Sequence, residues 1–173
     1  MKNENNKVKT LVISALLAAI ICVTTIVFHI PVGNNGGYVH IGDSFIYIAA
    51  SILPLPYAMA ASAVGAGLAD IFSGAAIWVI PTIIIKPLLT LFFTRKGNRI
   101  FCRRNLLAIF LAGFVGTILY SVAEYVISGN FMAAFYISFI TLIQPIGSGI
   151  VFIMLAIALD KIEFKNKIVL ENI

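Results

Sequence analysis

Four ionisable residues lie inside or beside long apolar segments of this chain: Asp43, Asp70, Lys86 and Glu124. A charged side chain at the middle of a bilayer costs at least about 2.5–3.5 kcal/mol, so each of them is a candidate for a functional site. Lys86 lies near the middle of its apolar run and precedes Pro87. A kinked helix at that depth is tolerated where it lines a cavity.

Asp70 and Glu124 are expected at similar depths, because each lies near the far end of its apolar segment. We therefore expect both carboxylates to converge with Lys86. Two interpretations remain open. Lys86 forms a structural ion pair with Asp70 or Glu124, or at least one of the three contacts a solute directly.

The segment HIGD places His40 and Asp43 at the start of another apolar run. Aspartate is a favoured helix N-cap, so Asp43 is expected either to cap this run or to support the site. His40 either caps or pairs with Asp43, or donates a hydrogen bond to a solute.

Aromatic and amide side chains on the same segments complete the candidate site. Tyr120 lies one helical turn before the glutamate. Gln144 stands in a long uncharged run, where a buried amide needs partners, so it either joins helices or contacts the solute. Trp78 and Tyr125 belong either to an aromatic belt at the membrane interface or to a stack on a flat heteroaromatic solute.

The composition identifies the class of protein that holds these residues. Hydrophobic residues make up 61% of the chain, charged residues only 11%, and the mean hydropathy is +1.04. Soluble domains carry about 25% charged residues. We therefore predict an integral membrane protein with a single domain over residues 1–173, whose first apolar run is a retained span because no A-x-A-like cleavage site follows it.

Positive charges fall into three blocks that flank the apolar runs. The blocks contain Lys2, Lys7 and Lys9; Arg95, Lys96, Arg99, Arg103 and Arg104; and Lys161, Lys165 and Lys167. Such blocks are signals of a cytoplasmic location, and they favour anionic lipid headgroups or an acidic partner surface over nucleic acid. Cys22 and Cys102 have no C-x-x-C spacing, so neither a disulfide framework nor a metal site is indicated.

The three blocks also determine the number of predicted spans. If the first two blocks share the cytoplasmic side, an even number of spans must separate them, and the LPLP sequence at 53–56 supplies the required turn. We predict an all-α protein of the cell membrane with six transmembrane helices and both termini in the cytoplasm. The predicted spans cover about 11–28, 41–53, 56–72, 77–94, 106–128 and 135–159.

Small residues recur every four positions along several predicted spans. They include Ala15 and Ala19; Ala58, Ser62 and Ala66; Ala61, Gly65 and Ala69; and Gly113 with Gly116 and Thr117. Such faces let helix backbones approach closely. They are expected to pack within the chain, except that the face of the first span is also suited to a partner helix.

Several catalytic motifs are absent from the sequence. There is no G-x-x-x-x-G-K-[ST] nucleotide loop, no H-E-x-x-H zinc motif and no G-x-S-x-G nucleophile elbow. We therefore predict that the chain is not an enzyme and needs neither a metal nor a catalytic residue. The alternatives left open are a self-sufficient carrier or channel for small solutes, and a small membrane enzyme acting on a lipid.

Four local motifs resemble one known family over nearly the whole chain. They are A-x-x-x-A at 15–19, a glycine-rich loop leading into HIGD at 40–43, GLAD at 67–70 and PTIIIKP at 81–87. A six-span chain with these motifs resembles the substrate-binding S components of energy-coupling factor (ECF) transporters. It is most similar to the riboflavin-type branch, which includes carriers of hydroxymethylpyrimidine, vitamin B6 and queuosine precursors.

The resemblance implies a mechanism and partners. Such proteins bind a vitamin or precursor from outside, with the first outer loop as a lid, and deliver it by reorienting in the membrane. A transmembrane coupling protein and two ATPase subunits supply the energy, so ATP is used by the partners and no cofactor is expected in this chain.

The resemblance also implies roles for individual residues. Ala15 and Ala19 would contact the coupling protein, while Asp43 and Asp70 would support the site. The expected substrate-binding residues are Lys86, Glu124, Tyr125, Gln144, Tyr120, Trp78 and His40.

Overall fold

The apolar segments form helices, the one open-ended structure that satisfies all backbone polar groups within a membrane. The structure is a computed structural model that describes residues 2–32 and 37–168. Its helices are α1 (Lys2–Val27), α2 (Asp43–Ile52), α3 (Leu55–Phe72), α4 (Val79–Thr90), α5 (Arg103–Ser128), α6 (Phe131–Thr141), α7 (Ile143–Lys161) and α8 (Phe164–Ile168). A short 3₁₀ turn, Ala76–Trp78, leads into α4.

The predicted helical class is confirmed, and four stretches of the described chain are long and apolar enough to cross a membrane. These stretches are Asn6–Val27, Leu55–Phe72, Arg103–Ser128 and Phe131–Lys161. Two further apolar helical stretches, Asp43–Ile52 and Ala76–Thr90, are shorter. At 1.5 Å per residue α2 is about 15 Å long, about half the thickness of a bilayer's hydrocarbon core.

The LPLP sequence separates α2 from α3, as predicted. α2 ends at Ile52 and α3 begins at Leu55, with Pro54 at the N-cap position. Pro56 falls in the first turn of α3, where a missing backbone N–H does no harm because that group has no partner within the helix. Proline thus both ends one helix and starts the next.

The predicted last span over about 135–159 falls within one apolar helical stretch, Phe131–Lys161, which contains a break that was not predicted. The helical stretch begins at Phe131 and is divided at Leu142 into α6 and α7. Pro145 explains the division, because a proline lacks the N–H that would bond to Thr141 and its ring clashes with that carbonyl. The two halves are therefore free to differ in direction.

The segment between α1 and α2 contains a β-hairpin where a loop was predicted. Strands β1 (His29–Val32) and β2 (Gly37–His40) pair antiparallel, with His29 opposite His40 and Pro31 opposite Tyr38. Residues 33–36, which connect the two strands in sequence, lie outside the described residues. They include much of the glycine-rich loop for which a lid role was expected.

The short helix α2 forms the centre of the bundle. All its residues except Phe45 are buried, and it packs against α1, α3, α4 and α7. Tyr47 stacks on Phe93 at a ring-centroid distance of 4.7 Å and meets the edge of Phe152 at 6.0 Å. The other helices thus shield α2 from lipid.

Small residues on α3 let α1 approach it closely. A Cβ atom on Gly65 would lie 2.5 Å from the carbonyl oxygen of Ala18 and 2.9 Å from Cβ of Ile21. Ala61 and Ala69, on the same face, are buried as well. The predicted packing of this small-residue face within the chain is confirmed.

The three basic blocks come together at one end of the bundle. The Lys9 ammonium lies 3.5 Å from the carbonyl oxygen of Lys167, and the Lys165 ammonium lies 3.5 Å from that of Arg99. Burial lowers the pKa of Lys165. Asp160 accepts two backbone hydrogen bonds of 2.8 Å from the loop before α5, which holds the middle block in place.

Replacing Gly65 with alanine tests the contact between α1 and α3. The new methyl group would overlap a backbone carbonyl that cannot rotate away, so we expect Gly65→Ala to lower the free energy of unfolding by about 1–3 kcal/mol. The thermal unfolding midpoint of the detergent-solubilised protein measures this.

Gly147→Ala is the matched control, since the nearest atom to its Cβ would be 3.9 Å away. We expect its midpoint to stay the same or to rise. Equal midpoints for the two variants would contradict the close packing of α1 on α3.

Candidate functional site

A cavity lies at the end of the bundle opposite the basic blocks, under the β-hairpin. It contains about 900 Å³ of atom-free space, counted out to its open mouth. Six of the sequence-predicted substrate-binding residues and both predicted support residues line it. These are Lys86, Glu124, Gln144, Tyr120, Trp78, His40, Asp43 and Asp70.

The strongest interaction in the cavity wall is an ion pair between Lys86 and Asp43. The ammonium nitrogen lies 2.7 Å from Oδ1 of Asp43, and the two side chains are only 3% and 4% exposed. Lys86 thus forms a buried ion pair, but with Asp43 rather than with Asp70 or Glu124, the partners that one of the two open interpretations named. Asp43 does not act as a capping residue, because Gly42 occupies the N-cap position of α2 without a side-chain cap.

The length of α2 explains this choice of partner. The helix α2 has ten residues and is only about 15 Å long. Asp43 is its first residue, and it therefore lies beside Lys86 in the middle of α4. Both charges are buried among helices, which makes their pairing necessary.

Gln144 and His40 hold Asp43 and the hairpin in position. The Gln144 amide nitrogen donates a 2.7 Å hydrogen bond to Oδ2 of Asp43, and its Oε1 lies 3.4 Å from the backbone nitrogen of His40. Ser148 lies 3.3 Å from the His40 carbonyl. The amide thus joins α7, α2 and β2, which is the joining role that the sequence left open for it.

His40 is a neutral hydrogen-bond acceptor at the start of α2. Its Nδ1 accepts a 3.1 Å hydrogen bond from the backbone N–H of Gly42 and also lies 3.5 Å from the hydroxyl of Thr25. An acceptor at Nδ1 places the ring proton on Nε2. With Nδ1 accepting and one proton on Nε2, the ring is uncharged.

The glycine of HIGD is required by a close approach to α1. A Cβ atom on Gly42 would lie 2.0 Å from Oγ1 of Thr25. Any larger residue would push α1 away from the start of α2. The HIGD motif therefore supplies the buried carboxylate of Asp43 and the neutral imidazole of His40. Its glycine leaves the space in which α1 packs against both.

Asp70 connects α3 to the hairpin. Its Oδ1 accepts a short hydrogen bond from the hydroxyl of Tyr38, a residue of β2 that also lines the cavity. Nothing in the sequence pattern indicated this hydrogen bond.

Aromatic side chains form another wall of the cavity. The rings of Trp78 and Tyr120 lie 6.0 Å apart at an angle of 42°, and the Tyr120 hydroxyl is 3.1 Å from that of Thr82. The Lys86 ammonium sits 5.0 Å from the centre of the Tyr120 ring, in the geometry of a cation–π contact. This wall offers flat apolar faces next to hydroxyl groups.

Helix α5 contributes both space and a third carboxylate. Gly113 and Gly116 line the cavity without filling it, and Glu124 lines it with only 1% of its surface exposed. The hydroxyls of Ser121 and Ser138 form a short hydrogen bond that attaches α6 to α5. The small residues of α5 thus help to form the cavity as well as to pack helices.

Tyr125 does not belong to this site, contrary to the prediction. Its side chain is 49% exposed, and its ring meets the edge of Phe131 at a centroid distance of 6.3 Å. One residue along a helix turns the side-chain direction by about 100°, so the neighbour of the inward-facing Glu124 faces outward. The alternative of an aromatic belt fits Tyr125 better.

Ala15 and Ala19 lie away from the cavity, on the exposed side of α1. The backbone of Ala18 and the side chain of Ile21 meet α3 instead. The A-x-x-x-A face is therefore available at the surface of the bundle, as contact with another helix requires.

The three carboxylates of the cavity do not form a metal centre. Over residues 2–32 and 37–168, no three histidine, cysteine, aspartate or glutamate side chains are grouped as metal ligands. What the arrangement offers is a partly enclosed space with flat aromatic faces, hydroxyl groups and carboxylates. Small-molecule sites have this combination of apolar walls and a few fixed polar groups.

Comparison with known proteins gave one informative result. The model of the family described as ECF-type riboflavin transporter, S component, matches residues 5–161. No curated protein and no solved structure matched the chain.

Removing the charge of Lys86 tests the buried ion pair. Lys86→Met leaves Asp43 buried without its counter-charge, so we expect a loss of about 3–5 kcal/mol in the free energy of unfolding. The double variant Asp43→Asn with Lys86→Met should recover most of this loss, because it leaves no unpaired charge. The asparagine can still accept the hydrogen bond from Gln144. Chemical unfolding in detergent measures the three proteins against Lys96→Met, a control at an exposed lysine.

The decisive comparison is between the single and the double variant. A double variant no more stable than Lys86→Met would contradict the ion pair as the reason for burying both charges.

Proposed function

The chain belongs to the ECF-type riboflavin transporter S component family, the substrate-binding subunits of membrane transporters, and on that premise we propose that it captures a vitamin or heterocyclic precursor from outside the cell. Hydroxymethylpyrimidine, pyridoxine or a similar compound is the proposed substrate. The main observation that supports this proposal is the cavity under the hairpin, which combines aromatic faces with buried polar groups. Such a site suits a flat, polar molecule.

The proposed roles of the residues follow from their places in the wall. Trp78 and Tyr120 would stack on the ring of the substrate, while Glu124 would bind its polar edge. Lys86 and Gln144 would present the polar floor that they form with Asp43, and His40 would hold the hairpin above it. Asp43 remains the support for Lys86.

We further propose six membrane crossings in the cell membrane, with both termini in the cytoplasm. The convergence of three basic blocks at one end supports this orientation, because cytoplasmic ends of membrane proteins carry excess lysine and arginine. The short helix α2 completes its crossing together with the hairpin segment, shielded by its neighbours. The cavity then opens to the outside.

Transport would depend on partners that hydrolyse ATP. The sequence contains no nucleotide-binding loop, so a transmembrane coupling protein and two ATPase subunits are proposed to supply the energy. The exposed A-x-x-x-A face of α1 supports a helix contact with the coupling protein at Ala15 and Ala19. The other proposed partners are membrane lipid and the small-molecule substrate.

The capture function predicts that the purified protein retains its substrate. Mass spectrometry of small molecules released by denaturation should detect a heterocyclic compound in the wild type. Gly116→Leu should lose it, because leucine would fill part of the cavity, where a Cβ atom at position 116 would already lie 3.5 Å from the side chain of Leu89. Gly147→Ala serves as the control, and release of lipid alone from the wild type would count against capture.

The coupling function predicts that Ala15→Trp blocks transport without blocking binding. A large side chain on this exposed face would separate α1 from the partner helix, so uptake into cells and co-purification of the coupling protein should be lost. Ala158→Trp makes the same change on the exposed side of α7 and should leave both unchanged. Uptake that survives deletion of the ATPase partners would instead indicate a self-sufficient carrier.

A further inference from the structure

Negatively charged side chains outnumber positively charged ones in the described wall of the cavity. Asp43, Asp70 and Glu124 carry carboxylates, whereas Lys86 carries the single ammonium among the described lining residues. His40 adds no charge, because its Nδ1 acts as an acceptor. The wall therefore has an excess of negative charge.

The one positive charge is already engaged by Asp43. The Lys86 ammonium bonds to Oδ1 of Asp43, while Oδ2 of the same carboxylate accepts from Gln144. Both oxygens of Asp43 are thus occupied by protein donors. An incoming anion would find no further cation in the described wall, and the nearby carboxylates would repel it.

Asp70 presents an acceptor toward the cavity. Tyr38 occupies its Oδ1, while its Oδ2 has no hydrogen-bond partner among the described residues, although only 5% of the residue is exposed. A buried carboxylate oxygen without a donor is unfavourable. A donor group on a ligand would satisfy it.

Flat aromatic faces stand beside these acceptors. Trp78 and Tyr120 line the same cavity as Asp70 and Glu124. Aromatic faces attract both flat rings and cations, because the face of the ring is the negative end of its quadrupole. The wall thus combines stacking with recognition of positive or donor-rich groups.

We propose that the substrate is a flat nitrogen heterocycle with a basic, amino-substituted edge, of the aminopyrimidine type, which Asp70 and Glu124 bind through its N–H donors. This rests on the proposed capture function and makes it more specific. Phosphorylated or carboxylated heterocycles are excluded by the same carboxylates. Asp70 is then a substrate-binding residue as well as a support for the hairpin.

The test uses the fluorescence of Trp78, the single tryptophan of the chain. The probes are 4-amino-5-hydroxymethyl-2-methylpyrimidine, its 4-oxo counterpart, riboflavin and pyridoxal 5′-phosphate. The first should bind at least about tenfold more tightly than the oxo compound, since the oxo compound replaces the amino donor with a carbonyl oxygen, an acceptor that cannot bond to the carboxylates. Tighter binding of riboflavin or of the phosphate would overturn the proposal.

Two charge-removing variants assign the contacts. Asp70→Asn and Glu124→Gln keep the size of the side chain, and each should weaken binding of the amino probe by at least about tenfold with little effect on the oxo compound. Glu163→Gln is the matched control at an exposed glutamate outside the cavity. Unchanged affinity of the amino probe in both cavity variants would refute the assignment.

The binding of these probes and the release of a bound heterocycle test two different claims. If none of the four probes binds, the aminopyrimidine assignment fails. Release of any other heterocycle from the purified protein would still support the capture function. Release of lipid alone would contradict both the capture function and the aminopyrimidine assignment.

Discussion

The buried ion pair between Lys86 and Asp43 is the interaction on which the site depends. Neither charge could remain inside the bundle alone, because an unpaired buried charge is strongly destabilising. The pair places a lysine of α4 against the first residue of α2, at 2.7 Å. Gln144 adds α7 to the same carboxylate. Three helices therefore meet at one aspartate, and the floor of the cavity is built from their contact.

The shortness of α2 makes this arrangement possible. A longer helix would carry its first residue past Lys86, and the two charges would not meet. Instead α2 begins beside Lys86 and leaves room above its first turn, which the β-hairpin and the cavity occupy. Glycine at position 42 allows α1 to close the side of this space. The cavity is thus the volume that a half-length central helix leaves unfilled.

The two ends of the bundle differ in chemistry. At one end the basic blocks and the ends of the chain come together, held by Asp160 and by contacts between lysines and backbone carbonyls. At the other end the charged lining groups are mostly carboxylates, set among aromatic rings. The first end presents positive charge, which anionic lipid headgroups attract. The other presents acceptor oxygens and flat aromatic faces around a cavity, in agreement with a chain that belongs to a family of substrate-binding S components.

The sequence by itself determined the membrane class, the helical fold, the break at LPLP and most of the cavity residues, because these follow from local hydropathy, from proline chemistry and from the cost of a charge in lipid. It also indicated correctly that the small residues of α3 pack within the chain. Only the tertiary structure decided which carboxylate pairs with Lys86, since the depth of Asp43 depends on where α2 begins relative to α4. The outward direction of Tyr125, the division at Leu142 and the contact of Tyr38 with Asp70 likewise depend on how the helices rotate and pack against one another. Local pattern sets which side chains are available, and the packing of helices sets which of them meet.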